Sequence, residues 1–378
     1  MNWQGFYGQN QVKYFLEILL NSQTIPQSLI FSGYSGVGKD CAAYKFAENF
    51  ISLGRESKGE SWLDIESLIG RGSIILTYAL PRGKNEDQDD HPLEKLTAKE
   101  IELIKEQQKQ KILNPYSEIL IPGANQIKIN SIREIVRILS LNRGKGERVV
   151  VIILEADLMN EPAQNSLLKI LEEPPDNTTF ILTTSSVNSL KETILSRSWT
   201  VNFGTLSEDE ITGVINHYFE LDYNSYKDFL PLSKGSVTHL LDIIGHSSGD
   251  VRNLIIELLR FILTGKFNSA FKMVDEFCEN EPDNFLFLLE LLTIWFRDVE
   301  RSKTSGQELY FAEFAVPMEK FRNRYNKMNV RVLQSKLENY KRIADKTNVN
   351  LSILIFNLIY ALADINYLYS GLTGYEIN

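Results

Sequence analysis

The sequence contains few of the residues that build disulfide frameworks or metal sites. Only two cysteines occur, Cys41 and Cys278, and they lie far apart, without the C-x-x-C spacing of a zinc site. The four histidines show no spacing typical of metal binding or of nucleophilic catalysis. We therefore expect neither a disulfide framework nor a cysteine-based metal site, and no zinc.

Excess basic charge and long apolar runs are also missing. The chain has 40 basic and 49 acidic residues, for a net charge of −9, so it has no general attraction to nucleic acid or anionic lipid. Its most apolar late stretch, residues 351–365, is broken by Asn357 and Asp364 and falls short of the roughly 18 apolar residues of a membrane span. The start, MNWQGFYGQN, does not resemble a secretory signal. We expect a cytoplasmic protein without a membrane partner.

Strand and helix patterns alternate between residues 28 and 203. Short apolar runs typical of buried strands occur at 28–33, 73–81, 148–154 and 180–186, and segments with helical spacing lie between them. This alternation predicts a doubly wound α/β domain with a parallel sheet. The 378 residues leave room for one or two further domains.

Beyond Gly204 the pattern becomes helical. Ser207 and Glu210 have the spacing of a capping box, and no convincing strand follows. The glycine-containing segment 245–249 marks a linker. We predict an α/β domain at 1–204, a small helical lid at 205–246 and an all-helical domain at 247–378.

The charged segment 82–111 interrupts the α/β pattern. It has almost no large apolar residues, so its early part is predicted to be a mobile loop and its later part a solvated helix. The sequence does not indicate what this insert binds.

A phosphate-binding motif follows the first predicted strand. Residues 33–40 read GYSGVGKD, in which Gly33, Gly36, Gly38 and Lys39 give the P-loop spacing G-x-x-x-x-G-K. The motif next expects Ser or Thr, whose hydroxyl ligates Mg²⁺, but this chain has Asp40. A carboxylate there would stand among phosphate charges. The loop therefore either has another role or has lost nucleotide turnover.

Several segments resemble the bacterial clamp-loader subunits of DNA polymerase III, an AAA+ family, and in particular the delta-prime type. The most specific is NSLLKILEEPPDNTTFILTTSSVNSLKETILSRS, residues 165–198. Further matches occur in the same order as in the family, at residues 7–9, 33–39, 127–140, 232–241 and 348–362. The resemblance implies an AAA+ module, a helical lid and a helical collar that joins five subunits into a ring.

The departures from this family bear on ATP turnover. In the hydrolysing members, an aspartate at the position of Leu154 holds Mg²⁺, and an arginine at the position of Thr238 reaches the γ-phosphate. Glu155 or Asp157 could substitute, but alternation along a strand would put Glu155 on the opposite face from Leu154. We expect no hydrolysis by this chain; its P-loop either binds ATP, ADP or phosphate without turnover or only shapes the turn.

One catalytic element of the family is retained. Arg197 matches the arginine that clamp-loader subunits insert into the ATP site of the next subunit, where it offsets charge on the transferred phosphoryl group. Without the family, Arg197 reads as an ordinary surface arginine at the end of a helix. Thr184 stands where AAA+ proteins keep a polar sensor residue, and Thr183 and Thr184 could equally be ordinary residues at a strand end.

The resemblance implies a subunit that loads the sliding clamp onto primed DNA within the DNA polymerase III holoenzyme. Its partners would be motor subunits, a clamp-opening subunit, the clamp and, through the complex, DNA, in a hetero-pentamer. Two alternatives stay open: an active P-loop ATPase that uses Asp40, Glu155 or Asp157 around the metal, and a non-replicative AAA+ adaptor.

Overall fold

The computed structural model describes residues 1–22, 25–56, 64–140, 147–246, 251–278, 282–302, 309–326, 329–346 and 350–369. The chain divides into two compact units: Met1–Tyr223 with Ser233–Leu240, called here the sheet unit, and Asn224–Leu232 with Leu241–Asn378, called the helical unit. Most of the predicted linker at 245–249 lies outside the described residues. The finer division into domain, lid and collar stays a prediction.

A five-stranded parallel sheet forms the centre of the sheet unit. The strand order is β2-β3-β4-β1-β5, and every neighbouring pair is parallel. The bounds are β1 Ser28–Ser32, β2 Ile74–Thr77, β3 Val149–Ile153, β4 Thr178–Thr184 and β5 Trp199–Asn202. Parallel neighbours need crossover connections, which the intervening helices supply. The predicted parallel α/β domain is confirmed.

Helices precede, connect and follow these strands. They are α1 Asn10–Asn21, α2 Lys39–Glu56, α3 Ile65–Gly70, α4 Ala98–Leu113, α5 Ile129–Ser140, α6 Glu161–Glu172, α7 Glu192–Leu195, α8 Glu208–Tyr218, α9 Tyr223–Tyr226 and α10 Val237–His246. Most of α9 and the second half of α10 belong to the helical unit. The predicted capping box is present at the start of α8, where the Ser207 side chain accepts from the Glu210 backbone N–H and the Glu210 side chain accepts in return.

The core of the sheet unit follows from the β-branched strands. All five residues of β3, Val-Val-Val-Ile-Ile, are buried, as expected for a strand covered on both faces of a parallel sheet. β4, its neighbour, is also buried along its whole length. Side chains of α5 and α6 complete the cluster on one face, among them Ile132, Ile135 and Leu167.

Three local features differ from the sequence prediction. β2 is four residues long, Ile74–Thr77, and not nine. β5 was not predicted, because only Val201 of its four residues is buried. In the sequence, Asn130 or Ser131 can cap the helical segment that follows them. Helix α5 instead begins at Ile129, so both residues lie inside the helix and are buried.

The charged insert is anchored to the sheet unit, so its predicted solvation is wrong at specific positions. In its early part, the Glu86 carboxylate is buried and contacts Lys128 Nζ at 2.6 Å. It also accepts from the Gly83 backbone N–H at 2.7 Å. In its later part, Ile104 and Lys111 of α4 are buried. These anchors hold the insert against the domain rather than leaving it free in water.

The helical unit contains the remaining helices. They are α11 Val251–Leu263, α12 Phe267–Cys278, α13 Pro282–Arg301, α14 Ala315–Arg324, α15 Val330–Lys346 and α16 Leu351–Tyr369. Aromatic packing marks its core: Trp295 lies perpendicular to Phe311 at 5.2 Å between ring centroids. No strand occurs among the described residues beyond Asn202. Among the helices that the structure describes, none has the length and apolar character needed to cross a membrane.

Candidate functional site

The loop between β1 and α2 has the backbone shape of a P-loop. Gly36 and Gly38 adopt φ angles of +69° and +97°, which residues with a side chain rarely adopt. A Cβ added to Gly36 would lie 2.4 Å from the backbone nitrogen of Thr238. Gly36 is therefore required both by the turn and by the close approach of a neighbouring backbone.

The lysine of the P-loop motif turns back onto the loop itself. Lys39 is 9% exposed, and its Nζ donates to the carbonyl oxygens of Gly33 at 2.7 Å and Tyr34 at 2.6 Å. Burial lowers the pKa of Lys39, an effect that the neighbouring Asp40 carboxylate opposes. Two of the three ammonium hydrogens are thus committed to backbone oxygens.

Asp40 forms a close ion pair with a lysine of the insert. Lys111 Nζ lies 2.7 Å from Asp40 Oδ2, and the two side chains are 8% and 19% exposed. Burial alone would raise the pKa of Asp40, but the charges of Lys111 and Lys39, with hydrogen bonds from Lys111 and Thr183, lower it overall. The residue that departs from the P-loop pattern is therefore an ionised carboxylate with a dedicated counter-ion.

Helix α4 positions this counter-ion. Lys111 stands seven residues after Ile104, two helical turns along the same face, and both side chains are buried. Its Nζ also donates to the carbonyl oxygens of Pro115 at 2.8 Å and Ser117 at 2.7 Å. Sequence analysis missed Lys111, although its seven-residue spacing from Ile104 could have indicated a buried face on this charged helix.

The end of β3 brings Leu154 and Glu155 to the same cleft. The strand ends at Ile153, Leu154 is buried, and Glu155 has a φ of +50°. Alternation therefore no longer applies at Glu155, and the prediction that it faces away from Leu154 is wrong: both residues line the cleft. Partial desolvation, followed by repulsion from Asp40, raises the pKa of Glu155, although its side chain remains accessible to water.

The two threonines at the end of β4 have separate partners. The Thr183 hydroxyl accepts from the Glu155 backbone N–H at 3.2 Å and bonds to Asp40. The Thr184 hydroxyl donates to Asp157 Oδ1 at 2.7 Å, and Ser185 Oγ lies 3.1 Å from Asp157 Oδ2. Asp157 is therefore engaged by the end of β4 and does not supply a free carboxylate to the cleft.

The start of α10 lies directly on the P-loop. The Val237 backbone N–H donates to the Gly36 carbonyl at 3.2 Å, and the Ser236 hydroxyl donates to the Ser35 carbonyl at 2.8 Å. Thr238, at the position where hydrolysing relatives of the predicted family have an arginine, lies 3.5 Å from Ser35 Oγ. Short polar side chains thus fill the space above the loop.

A second contact ties the N-terminal segment to the P-loop. Gln9 Nε2 donates to the carbonyl oxygens of Gly204 at 2.6 Å and Val37 at 3.3 Å. The Gly204 backbone N–H donates to Gln9 Oε1 at 3.1 Å. One amide side chain therefore fixes the P-loop to the segment that follows β5.

The residues of this cleft do not fit a magnesium–nucleotide complex. Its volume is about 80 Å³, whereas pockets that hold drug-sized ligands measure roughly 300–1,000 Å³. Leu154 cannot ligate a cation, and Asp40 already holds an ammonium group. Among the described residues, no group of three or more His, Cys, Asp and Glu side chains is arranged to hold a metal ion. We derive no hydrolytic step through this site.

Arg197 lies away from this cleft, just after α7. Its side chain is 38% exposed and forms an ion pair with Glu172, also exposed, at 3.1 Å. Its other hydrogen-bond partners among the described residues are the Thr193 carbonyl at 3.2 Å and Ser196 Oγ at 3.5 Å. Exposed pairs of this kind contribute only about 0–1 kcal/mol, so the guanidinium group can exchange Glu172 for another anion at little cost.

Fold and site together define a P-loop α/β module of the AAA+ type with an altered nucleotide cleft. A family model described as "DNA polymerase III, delta subunit" matches residues 76–207. This partial match and the similarity to DNA polymerase III gamma and delta' subunits support a clamp-loader AAA+ family member.

Some of the similar proteins are named gamma subunits, and another is named a delta' subunit. The DNA polymerase III subunit gamma of Buchnera aphidicola subsp. Acyrthosiphon pisum is 29% identical over 45% of this chain and 45% of its own length. The DNA polymerase III subunit delta' of Escherichia coli K12 is 30% identical over 40% of this chain and 44% of its own. A solved structure of a DNA polymerase III gamma subunit-related protein from Thermotoga maritima aligns with a TM-score of 0.43 and 15% identity, over 94% of this chain and 100% of that one. The chain spans less than half the length of the two curated relatives.

Proposed function

We propose that this chain is a delta-prime-like subunit of the DNA polymerase III clamp loader. It hydrolyses no ATP itself and supplies Arg197 to the ATP site of a neighbouring motor subunit. The complex would load the sliding clamp onto primed DNA, with a clamp-opening subunit as a further partner in a hetero-pentamer. Within it, this chain would have an architectural and regulatory role.

The observation that carries this proposal is the chemistry at the metal position. A hydrolysing P-loop needs a hydroxyl after the lysine and a carboxylate at the end of the strand that corresponds to β3, because both hold the Mg²⁺ that neutralises the phosphates. Here Asp40 is paired with Lys111, and Leu154 is a buried aliphatic residue. Neither can perform the metal-binding role.

The surroundings of Arg197 support a role in trans. A catalytic arginine for a neighbour must be reachable from outside its own chain and must release its resting partner easily. Arg197 is exposed and its partner Glu172 is 53% exposed. A phosphate is a better partner than Glu172, because a guanidinium group can bind it through two parallel hydrogen bonds in a water-excluded site.

Steady-state ATP hydrolysis tests the proposal directly. The full chain is assayed alone and with motor subunits, clamp-opening subunit, clamp and primed DNA. We expect no turnover by the chain alone. Arg197→Ala is expected to reduce hydrolysis at the one ATP site that Arg197 serves by on the order of 10³-fold. The total rate of the complex should therefore fall by the fraction that this site contributes. Assembly of the complex should not change.

Two further variants separate catalysis from structure. Arg197→Lys keeps the charge but loses the planar two-point contact, and we expect it to remain impaired. Glu172→Gln removes the resting ion pair but keeps the arginine, and we expect it to leave the rate unchanged. Equal hydrolysis by wild type and Arg197→Ala in an intact complex would rule out the role in trans.

A second candidate function is a motor-type subunit that turns over ATP. The observation that favours it is the name gamma, carried by the relative from Buchnera aphidicola. The same assay decides between the two candidates. Turnover by the pure chain that Lys39→Ala abolishes would establish a motor.

A further inference from the structure

The Lys111 ammonium group is fully satisfied inside the P-loop cleft. It has three hydrogens and three acceptors: Asp40 Oδ2 at 2.7 Å, the Pro115 carbonyl at 2.8 Å and the Ser117 carbonyl at 2.7 Å. An ammonium group that already donates three hydrogen bonds has no hydrogen left for a fourth. Lys111 therefore has no donor left for a phosphate, and its charge acts on the protein alone.

The ammonium group lies beside the motif position that ordinarily helps to hold Mg²⁺. Asp40 follows the P-loop lysine, where the usual hydroxyl would ligate Mg²⁺, and the Lys111 nitrogen lies directly on its carboxylate. The same cleft is lined by Lys39, Leu154 and Glu155. One side chain from the insert thus supplies positive charge where a P-loop ordinarily recruits a metal.

Burial makes the two charges depend on each other. Lys111 is 8% exposed and Asp40 is 19% exposed, and removing one partner of a buried pair leaves an uncompensated charge in a poorly solvated place. The pair also connects two distant parts of the chain, since α4 belongs to the insert and Asp40 lies in the first turn of α2. Its loss should therefore loosen the insert as well as the loop.

We propose that Lys111 is a built-in replacement for the divalent cation of this P-loop: it neutralises Asp40, fastens the insert helix α4 to the loop and leaves the cleft without affinity for a metal–nucleotide complex. This inference rests on the proposed function for the absence of ATP turnover, but Lys111 would do this whether or not Arg197 serves a neighbouring subunit, so the roles of Lys111 and Arg197 fail separately.

Thermal unfolding of the full chain, with and without Mn²⁺, tests this role. The variants are Lys111→Met, which keeps an unbranched side chain of similar length, Asp40→Asn, and the double variant. We expect each single variant to lower Tm by about 5 °C or more, because each leaves one buried charge unpaired. The double variant should recover at least half of the summed loss, because no unpaired charge remains.

Metal rescue tests the cation position. Millimolar Mn²⁺ is expected to raise the Tm of Lys111→Met, in which the Asp40 carboxylate is free to bind it. The wild type and the double variant should not respond. Binding of a fluorescent ATP analogue with Mg²⁺ should be undetectable for the wild-type chain.

Several results would overturn the proposal. Additive losses in the double variant would show that the two charges do not depend on each other. If Mn²⁺ raises the Tm of all variants equally, or does not raise the Tm of Lys111→Met, then Lys111 does not occupy the position of a divalent cation. Tight binding of the magnesium–nucleotide complex by wild type would show that Lys111 does not close the cleft. If Lys111→Met does not fold, the double variant still decides, because it must fold when the charges compensate each other.

Discussion

At the residue scale, the sequence showed two departures from the P-loop pattern, but it did not show which side chain pairs with the altered residue. Asp40 and Leu154 could be identified by position alone, because the motif fixes their spacing. Lys111 could not, because a contact between residues 71 positions apart depends on how the insert folds back onto the domain. The sequence therefore showed that two metal-binding positions of the motif are altered, but not that Lys111 pairs with Asp40.

Glu155 shows a different limit of sequence reasoning. Its predicted direction relied on strand alternation, which holds only while the strand continues. The strand ends at Ile153, and the left-handed backbone at Glu155 turns the chain before the next residue of the strand. The positive φ angle of Glu155 places its carboxylate at the cleft, and a hydrophobic pattern cannot predict such an angle.

The lowered pKa of Asp40 predicts a particular dependence of stability on pH. A carboxyl group whose pKa is lower in the folded than in the unfolded state stabilises the fold above its unfolded pKa, about 3.9. That stabilisation is lost as the pH falls through the folded value. We expect wild type to exceed Asp40→Asn by about 2–3 kcal/mol in free energy of unfolding above pH ~5, and the difference to shrink below pH ~4.

Urea unfolding of both proteins between pH 3 and pH 7 measures this difference. A difference that stays constant down to pH 3 would mean that the Asp40 charge does not stabilise the folded chain. A difference that grows on acidification would mean that the sign of the pKa shift is opposite.

At the scale of single elements, burial decided which ones the sequence could predict. β3 and β4 are buried along their whole length, so their apolar runs were unmistakable. β5 has one buried residue, Val201, in four, and no alternating pattern shows it. The charged helix α4 was predicted as a helix, but its two buried positions were hidden among many polar residues.

The insert offers an element-scale prediction with a matched control. Glu86 and Asp89 lie in the same loop and each pairs with a basic residue near α5, but the Glu86 side chain is 4% exposed and that of Asp89 is 91% exposed. Glu86→Gln leaves Lys128 without its counter-ion, so we expect a loss of about 2 kcal/mol or more in free energy of unfolding. Asp89→Asn should cost less than about 1 kcal/mol.

Hydrogen exchange followed by mass spectrometry measures where this loss occurs. Exchange in residues 82–97 should accelerate in Glu86→Gln and remain close to wild type in Asp89→Asn. Equal effects of the two substitutions would mean that burial of Glu86 does not anchor the insert.

At the scale of the whole molecule, the sequence predicted the change from alternating strands and helices to helices alone. The interrupted apolar run at 351–365 also predicts a buried or interface helix, and α16 presents a specific exposed surface. Ile353, Phe356 and Tyr360 of α16 are 56%, 50% and 46% exposed. Their spacing of three and four residues places them on one helical face. We call this set the α16 surface.

We expect Phe356→Asp to weaken association with the motor subunits, because a charge would have to be buried at a contact that is otherwise apolar. Co-purification with those subunits measures the effect, and the Tm of the isolated chain checks that the fold is intact. Val316→Asp is the control, because Val316 is 63% exposed on α14, outside the α16 surface. Equal retention of both variants would mean that the α16 surface takes no part in assembly.

The Asp40–Lys111 pair also limits how this sequence can change over evolutionary time. A change of Asp40 to serine would restore the motif but leave a buried ammonium group without its counter-ion. A prior loss of Lys111 would leave a buried carboxylate without its counter-ion. Each first step is costly, and only the two together relieve the cost. A lineage that has acquired this pair is therefore expected to retain it, so positions 40 and 111 should change jointly among descendants of this chain.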